Sequence, residues 1–505
     1  MKNFIRQHGI VRGLEAVPAS SQFEGRFGRM FRTLPPAQFS LEDLKSLASL
    51  MVAEAEPQQT PENEIDDEEN TGISAGYTYL GQFIDHDLTF DPASSLQKQN
   101  DPNALIDYRT PKFDLDCVYG RGPDDQPYLY QDAQDNGVRM LLGRKLSGNP
   151  MDANSRDLPR NSPESGPKRA LIGDPRNDEN VIVSQLQSVF LRFHNRMVDV
   201  LHGADFRTVQ RLVRWHYQWV VLYDFLPTMI GKETLESILP HLQQNATVLD
   251  YHPNLQLYKW RNEPFIPVEF SVAAYRFGHS MVRPIYRLNT TLADRNMIFS
   301  ADPSQPDLRG FREFPENWAI DWRLFFDFGN NPDRKSKERI QPAYKIDSSL
   351  VNPLGALPAS IATQIPSLAE RNLLRGLRMG LPSGQAVARK IGLPVIPDEL
   401  LRIGKATEND NDKNMRLVEI SPMFRGNAPL WYYLLAEAQQ HFKDNATPIR
   451  LGPLGGRIVG EVFVGLLLGD SHSFLNQDPL WRPIPEFTKN GKFGIAELIT
   501  QAMQA

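Results

Sequence analysis

Cysteine is nearly missing from these 505 residues; Cys117 stands alone. One thiol closes no intramolecular disulfide, so the chain is expected to fold without help from an oxidising compartment. A small buried hydrophobe is the plainest reading of that side chain. Long apolar runs are missing too. The most apolar stretch, residues 458–468, carries Glu461 and is too short to cross a bilayer. Residues 1–31 have basic side chains but no apolar core segment and no cleavage site, which argues against a secretory signal there. Positive charge is not in excess. A formal net charge of −6 argues against nucleic acid as the main partner. The expectation is a protein without a membrane span, cytoplasmic or exported without a signal peptide of the usual kind.

The rest of the composition is that of a globular chain, 41% hydrophobic and 23% charged, and 10% aromatic residues suit a protein that encloses a flat ligand. Length alone gives a prior of about three domains. Yet no repeat and no internal break is visible, and the strand signal is thin throughout. The predicted fold is mainly α: a single large multi-helix domain over residues 76–505 with little β-structure. An N-terminal surface arm and loop, residues 1–75, precede it. Ser40, followed by Glu42 and Asp43, marks a helix start. The acidic run over residues 56–70 reads as a solvated loop, and so do residues 144–169 and the charged connector 332–345.

The stretch that organises the chain is Gly81-Gln-Phe-Ile-Asp-His-Asp87, in the middle of a predicted buried helix. Residues three and four apart share a helix face. Gln82, Asp85 and His86 therefore project together, with Asp87 turned about 100° away. Polar groups on an apolar face are costly unless something polar meets them. Three more predicted helical segments repeat the feature. Arg176 and Glu179 lie three apart near a helix start, with Asp178 and Glu179 expected in its first turn. Arg276 and His279 lie on a helix expected over residues 270–284, where Gly278 leaves room for something broad and flat. Asn372 and Arg375 lie on a helix ending at Gly380. His216, inside a long helix expected to stop at Pro227, reads as a satisfied core residue. Between these segments Thr110, Lys112, Asp114 and Asp116 alternate, with oxygens of the kind a hard cation prefers. Taken singly, each reads as core or as an exposed turn. Together, two histidines, two carboxylates, three arginines and an asparagine suit a haem.

The pieces, in this order and spacing, resemble the animal-type haem peroxidases of the peroxidase–cyclooxygenase superfamily, from about Gly76 to Leu468. The segments that carry the resemblance are Gly81 to Asp87, Asp114-Leu-Asp-Cys-Val-Tyr-Gly120, Gly173-Asp-Pro-Arg-Asn-Asp-Glu179, His194-Asn-Arg196, Arg276-Phe-Gly-His279 and Asn372 through Gly380-Leu-Pro382. The resemblance implies haem b, with His279 as proximal iron ligand, Asn372 as its hydrogen-bond partner, and Arg276 and Arg375 on the propionate side. It makes His86 the distal histidine, Arg176 the distal arginine and Gln82 the distal amide. Asp85 and Glu179 match the carboxylates that family members esterify to haem methyl groups. Asp87, Thr110, Lys112 (by its carbonyl), Asp114 and Asp116 match a Ca²⁺ site.

Departures are also visible. Asp116 stands where Ser is usual, Phe193 replaces the Glu of the Arg-Glu-His-Asn-Arg run, and Asn180 replaces a Met that forms a sulfonium bond in one family member. The implied activity is reduction of H₂O₂ through an oxyferryl species and oxidation of a small reductant or halide, with His86 moving protons and Arg176 stabilising charge. A fatty-acid dioxygenase is the alternative within the superfamily. It is disfavoured because Arg276 holds the place of that enzyme's catalytic Tyr, with Tyr275 expected on another face. A non-catalytic haem-binding or adhesion protein would be expected to lack His86, Arg176 or His279.

Overall fold

A computed structural model describes residues 25–55, 66–90, 106–131 and 137–505, with short breaks at 245, 261–262, 294–295, 301, 303, 331, 360, 363, 411 and 443–445. Among the described residues, eight helices reach eight residues or more: α1 (Leu41–Leu50), α2 (Gly76–Leu88), α3 (Val181–Val200), α4 (Phe206–Val220), α5 (Leu368–Arg378), α6 (Leu430–Gln439), α7 (Pro453–Gly469) and α8 (Ile495–Ala502). Strands are short. Gly25–Gly28 lies between Ile106–Asp107 and Ile266–Pro267, and Glu69–Ser74 pairs antiparallel with Pro342–Tyr344 across a bulge. No described helix is long and apolar enough to cross a membrane.

The helix starts follow local chemistry. Ser40 accepts from Asp43 N (3.0 Å), and Asn180 Oδ1 accepts from Ile182 N and Val183 N (3.1 and 2.9 Å). Helix α2 has no side-chain cap. Its first turn is instead held from outside, by Ala75 N on Gln341 O (2.8 Å) and Gly76 N on Phe325 O (3.0 Å). A Cβ at Gly76 would lie 2.5 Å from Phe325 O, so only glycine allows that approach. The helix buries Tyr79, Leu80, Phe83 and Ile84. Phe83 stacks on Phe190 of α3 with ring centroids 4.4 Å apart, and Tyr217 of α4 meets it edge-on at 6.1 Å. Such ring pairs contribute about 0.5–1.5 kcal/mol each beyond the area they bury. They fix the rotation of α2 and hence the direction of its polar face.

Several expectations are corrected. Part of the N-terminal arm is built into the core, where Phe27, Phe31, Leu44, Leu47 and Met51 are buried. The acidic run is not wholly solvated: residues 56–65 lie outside the described part, but Glu68 and Glu69 are buried. Glu69 accepts from Arg283 (3.1 Å), Arg339 (2.7 Å) and Arg334 (3.2 Å). The connector 332–345 thus supplies counter-charges, and Lys345 is also buried, donating to Ala406 O at 2.8 Å. In residues 144–169, Asp152 pairs with the buried Arg192 (2.5 Å), and Arg160 bridges Asp157 and Asp178.

Pro227 does not end the long helix. A π turn over Val221–Phe225 intervenes, and Pro227 falls in the first turn of Leu226–Ile230, where a missing N–H loses no helical bond. The helix expected over 270–284 is broken at Ala273 into Val268–Ser271 and a 3₁₀ segment, Ala274–His279. With three residues per turn, Arg276 and His279 still align. His216 is a satisfied core residue, its Nδ1 on Leu212 O (2.6 Å) and its Nε2 accepting from Ile484 N (3.1 Å).

Candidate active site

The polar face of α2 opens on a cavity of about 330 Å³ whose walls include Gln82, Asp85, His86, Glu179, Asn180, Gly278 and His279. A second chamber of about 380 Å³ adjoins it. Asp85, Arg276, Leu368 and Arg371 line both, while Thr89, Phe90, Arg176, Asn372 and Arg375 line the second alone. Four arginines thus face one chamber that Asp85 alone supplies with a carboxylate. Burial and the like charges of Arg375, Arg371 and Arg176, only partly offset by Asp85, push the Arg276 guanidinium below its usual range. Crowded, half-buried guanidiniums call for an anionic ligand.

His86 is buried, and its Nδ1 lies 2.7 Å from Asn177 Oδ1. Asn177 in turn donates through Nδ2 to Gln187 Oε1 (2.8 Å), so its oxygen is left to accept. This fixes the tautomer: Nδ1 carries the proton, and Nε2 presents a lone pair toward the cavity. Burial, then the nearby Arg176 charge, lowers the His86 pKa to about 4. Asn177 and Gln187 were missed as site residues, although Asn177 lies inside the segment Gly173 to Glu179. Nothing local in Gln187 signals its role, because it reaches Asn177 only through folding.

Arg176 and Asn177 belong to a 3₁₀ turn, Pro175–Asp178, capped by Asp174; helix α3 starts later than expected, at Val181. Arg176 meets the backbone of the turn that carries His86. Its Nη2 donates to the carbonyls of His86 (3.0 Å) and Thr89 (2.5 Å) and pairs with Asp174 (2.8 Å), and its guanidinium covers the Phe90 ring at 4.6 Å. Against the cost of burial, Arg176 and Arg109 hold the Asp174 carboxyl well below its usual range. Gln82 donates to Glu179 Oε2 (2.9 Å) and accepts from Asn180 Nδ2 (3.0 Å). The Asn at position 180 therefore fixes which way the Gln82 amide points. Burial, first of all, raises the Glu179 pKa.

On the other wall, the 3₁₀ segment presents His279, whose Nδ1 lies 2.7 Å from Asn372 Nδ2 on α5. Arg276 Nη1 donates to Asn372 Oδ1 (3.3 Å), an arrangement that leaves the ring proton on Nε2. Metal ligation through Nε2 needs the reverse, Nδ1–H donating to Asn372 Oδ1. A half-turn of the Asn372 amide would supply it. Burial, then Arg276 and Arg371, lowers the His279 pKa to about 3, so the ring is neutral as a metal ligand must be. A Cβ at Gly278 would meet nothing within 4 Å, which leaves this wall flat. Arg371, beside Asn372, is a further residue that sequence reasoning missed. Tyr275, expected on another face, lines the cavity, and its hydroxyl donates to Gly81 O (3.2 Å).

The far side of α2 carries Asp87 to a separate cluster. Asp87, Asp114 and Asp116 are all buried, with an oxygen from each lying within 4.8 Å of the others. Thr110 Oγ1 donates to Asp114 (2.7 Å), and Arg109 lies 3.5 Å from Asp116. Asp87 Oδ2 accepts from Leu115 N (3.2 Å), whereas its buried Oδ1 has no hydrogen-bond partner among the described residues. Burial, then Asp114 and Asp116, pushes the Asp87 pKa well up. The ammonium of Lys112 turns away to Asp470 (3.5 Å). His194 and Phe193 lie apart from both sites. His194 bonds Tyr119 Oη (2.9 Å) and Val138 O (2.7 Å), and Phe193 packs against His216, Phe487 and Phe493.

The family model for animal haem peroxidase matches residues 92–396, more than half of the chain, beginning just past α2. Similar sequences include thyroid peroxidase of Rattus norvegicus, 24% identical over 408 residues, and peroxidasin of Drosophila melanogaster, 23% identical over 328 residues. These alignments cover 76% and 62% of this chain but only 40% and 19% of those proteins. The chain thus spans less than half the length of either relative. Among solved structures, peroxidase A from Dictyostelium discoideum aligns with a TM-score of 0.60 at 16% identity, over 93% of this chain and 89% of that one. The fatty acid alpha-dioxygenase of Oryza sativa aligns with a TM-score of 0.51 at 14% identity, over 94% and 78%. Likeness at that identity concerns the fold alone.

Proposed function

This chain belongs to the animal haem peroxidase family, and on that premise we propose that it reduces H₂O₂ and oxidises a small reductant or halide in the cavity beside α2. The observation that carries the reading is a pair of neutral histidines, His86 and His279, on two walls of one cavity, each with Nδ1 tied to an asparagine. His279 would hold the iron of haem b through Nε2. Arg276, Arg371 and Arg375 would take its propionates, and Asp85 and Glu179 would be the carboxylates for ester links. When bound, haem supplies the redox equivalents that peroxide reduction requires.

The protein's own part is proton handling and exclusion of water. His86 Nε2 takes a proton from entering H₂O₂ and returns it to the departing oxygen, while Asn177 keeps the ring in the required tautomer. Arg176 contributes its positive charge and its hold on the His86 and Thr89 carbonyls. Gln82, aimed by Asn180 and Glu179, offers the cavity an amide. The dioxygenase reading gains little from Tyr275, whose hydroxyl is engaged by Gly81 O, and position 276 holds Arg.

The test is the visible spectrum of haem-supplied protein before and after one equivalent of H₂O₂. A sharp Soret band that shifts on peroxide and returns with iodide or ascorbate is the expected result. A band indifferent to peroxide would sink the reading.

The reading includes Ca²⁺ among Asp87, Asp114, Asp116 and Thr110, with the Lys112 carbonyl as the implied fifth contributor. Three buried carboxylates and a donorless Asp87 Oδ1 fit a hard cation. Ca²⁺ at a hundred times its Kd is expected to stabilise the protein by about 2.7 kcal/mol. Asp87→Asn should abolish that gain while making the metal-free protein more stable, because one of three crowded buried charges is gone. Thermal melts with Ca²⁺ and with chelator decide it; a wild-type melt indifferent to both would exclude the site.

A further inference from the structure

Tyr77, the second residue of α2, lines the inner cavity and also a separate outer cavity of about 880 Å³. The outer cavity is walled by Trp219, Tyr223 and Phe326 and edged by Asp224, Asp327 and Glu497. The Tyr77 hydroxyl donates to Asp224 Oδ1 at 2.5 Å, and Asp224 Oδ2 accepts from Ile495 N at 2.7 Å, so the carboxylate is held in place from two sides. A half-buried phenol is hard to oxidise by loss of an electron alone, because the cation left behind is partly desolvated. A carboxylate already bonded to its proton removes that obstacle. Burial, then the Asp224 charge, raises the Tyr77 pKa well above 10, so the phenol is intact at rest. Burial also raises Asp224 above the usual carboxylate range, making it a better proton acceptor.

We propose that Tyr77 is an electron relay through which a neutral aromatic amine, held in the outer cavity, is oxidised without entering the haem chamber. The inference rests on the peroxidase reading above. Tyr77 gives one electron to the oxidised haem and its phenolic proton to Asp224, becoming a neutral tyrosyl radical. The amine then gives one electron to the radical while Asp224 returns the proton, which restores Tyr77–OH and leaves an amine radical cation. Two such rounds deliver the two electrons that, with two protons from water, convert one H₂O₂ to two H₂O. The walls suit this donor class. Trp219 and Tyr223, 4.2 Å apart between ring centroids and tilted by 46°, offer aromatic surface, and Asp327 and Glu497 offer acceptors for amine N–H groups.

The experiment uses the haem-loaded full chain, its Tyr77→Phe and Asp224→Asn variants, tetramethylbenzidine as outer donor and iodide as inner donor. After one equivalent of H₂O₂ without donor, electron paramagnetic resonance should show a tyrosyl radical in the wild type. The signal should be missing in Tyr77→Phe and diminished in Asp224→Asn. The ratio of benzidine to iodide turnover should fall about tenfold or more in both variants, as expected when a positioned proton acceptor or its partner is lost. In haem-free protein, tetramethylbenzidine should quench tryptophan fluorescence, and Trp219→Phe should weaken that quenching. A wild type inert to peroxide with iodide would overturn both readings. A wild type that oxidises iodide, alongside a Tyr77→Phe variant with the same radical and the same donor ratio, would overturn this one alone.

Discussion

Replacing His86 by alanine is expected to lower kcat/KM for peroxide about a hundred- to ten-thousand-fold while haem stays bound. The two halves of that result have separate causes. In the proposed mechanism His86 contributes the Nε2 lone pair that accepts the peroxide proton, and His279, the other neutral histidine of the cavity wall, is reserved for iron. On the proposed reading haem would be held by His279 and the arginines, which the substitution leaves alone. The pH profile adds an independent check. Because the His86 pKa is lowered to about 4, the base is neutral throughout the physiological range. Activity should fall only as pH drops through about 4, when the ring protonates, and not near the ordinary value of 6.5. Steady-state kinetics with matched haem content measure both. A variant keeping more than a tenth of wild-type activity would mean that another group moves the proton.

Glu69→Ala is expected to cost about 3–5 kcal/mol of stability, because it strands buried cations without their counter-charge. Arg283 is fully buried and Arg339 nearly so, and both donate to Glu69. Arg334, which is about half exposed, would return to water and contribute little. The consequence reaches the site, since the strand Glu69–Ser74 leads directly into α2, whose start is held by the backbone N–H groups of Ala75 and Gly76 on Gln341 and Phe325. Loosening that strand should misplace His86, so peroxidase activity should fall together with the denaturation midpoint. Urea unfolding followed by circular dichroism supplies the number. A loss below about 1 kcal/mol would place the three arginines among ordinary surface pairs.

The face of α2 was legible from spacing alone, because a helix repeats every 3.6 residues whatever surrounds it. Gln82, Asp85 and His86 fall on one cavity and Asp87 on another cluster for that reason. Ser40 as a cap, Gly380 at φ +61° after α5, and the satisfied core position of His216 were legible on similarly local grounds. The break at Ala273 and the π turn before Pro227 were not. In both places, packing against distant elements overrides a pattern that reads locally as one continuous helix.

Charge was misread where its partner is remote. Glu69 lies 214 and 270 residues from Arg283 and Arg339, so its run of acids resembles a solvated loop until the chain folds. Asn177 behind His86, Gln187 behind Asn177 and Arg371 beside Asn372 were hidden in the same way. By itself, the sequence determined which residues share the faces of α2 and that a flat, anionic cofactor suits them. The tertiary structure alone decided the protonation states and the aim of those residues. Burial and hydrogen-bond partners set both, and the fold brings those partners from far along the chain.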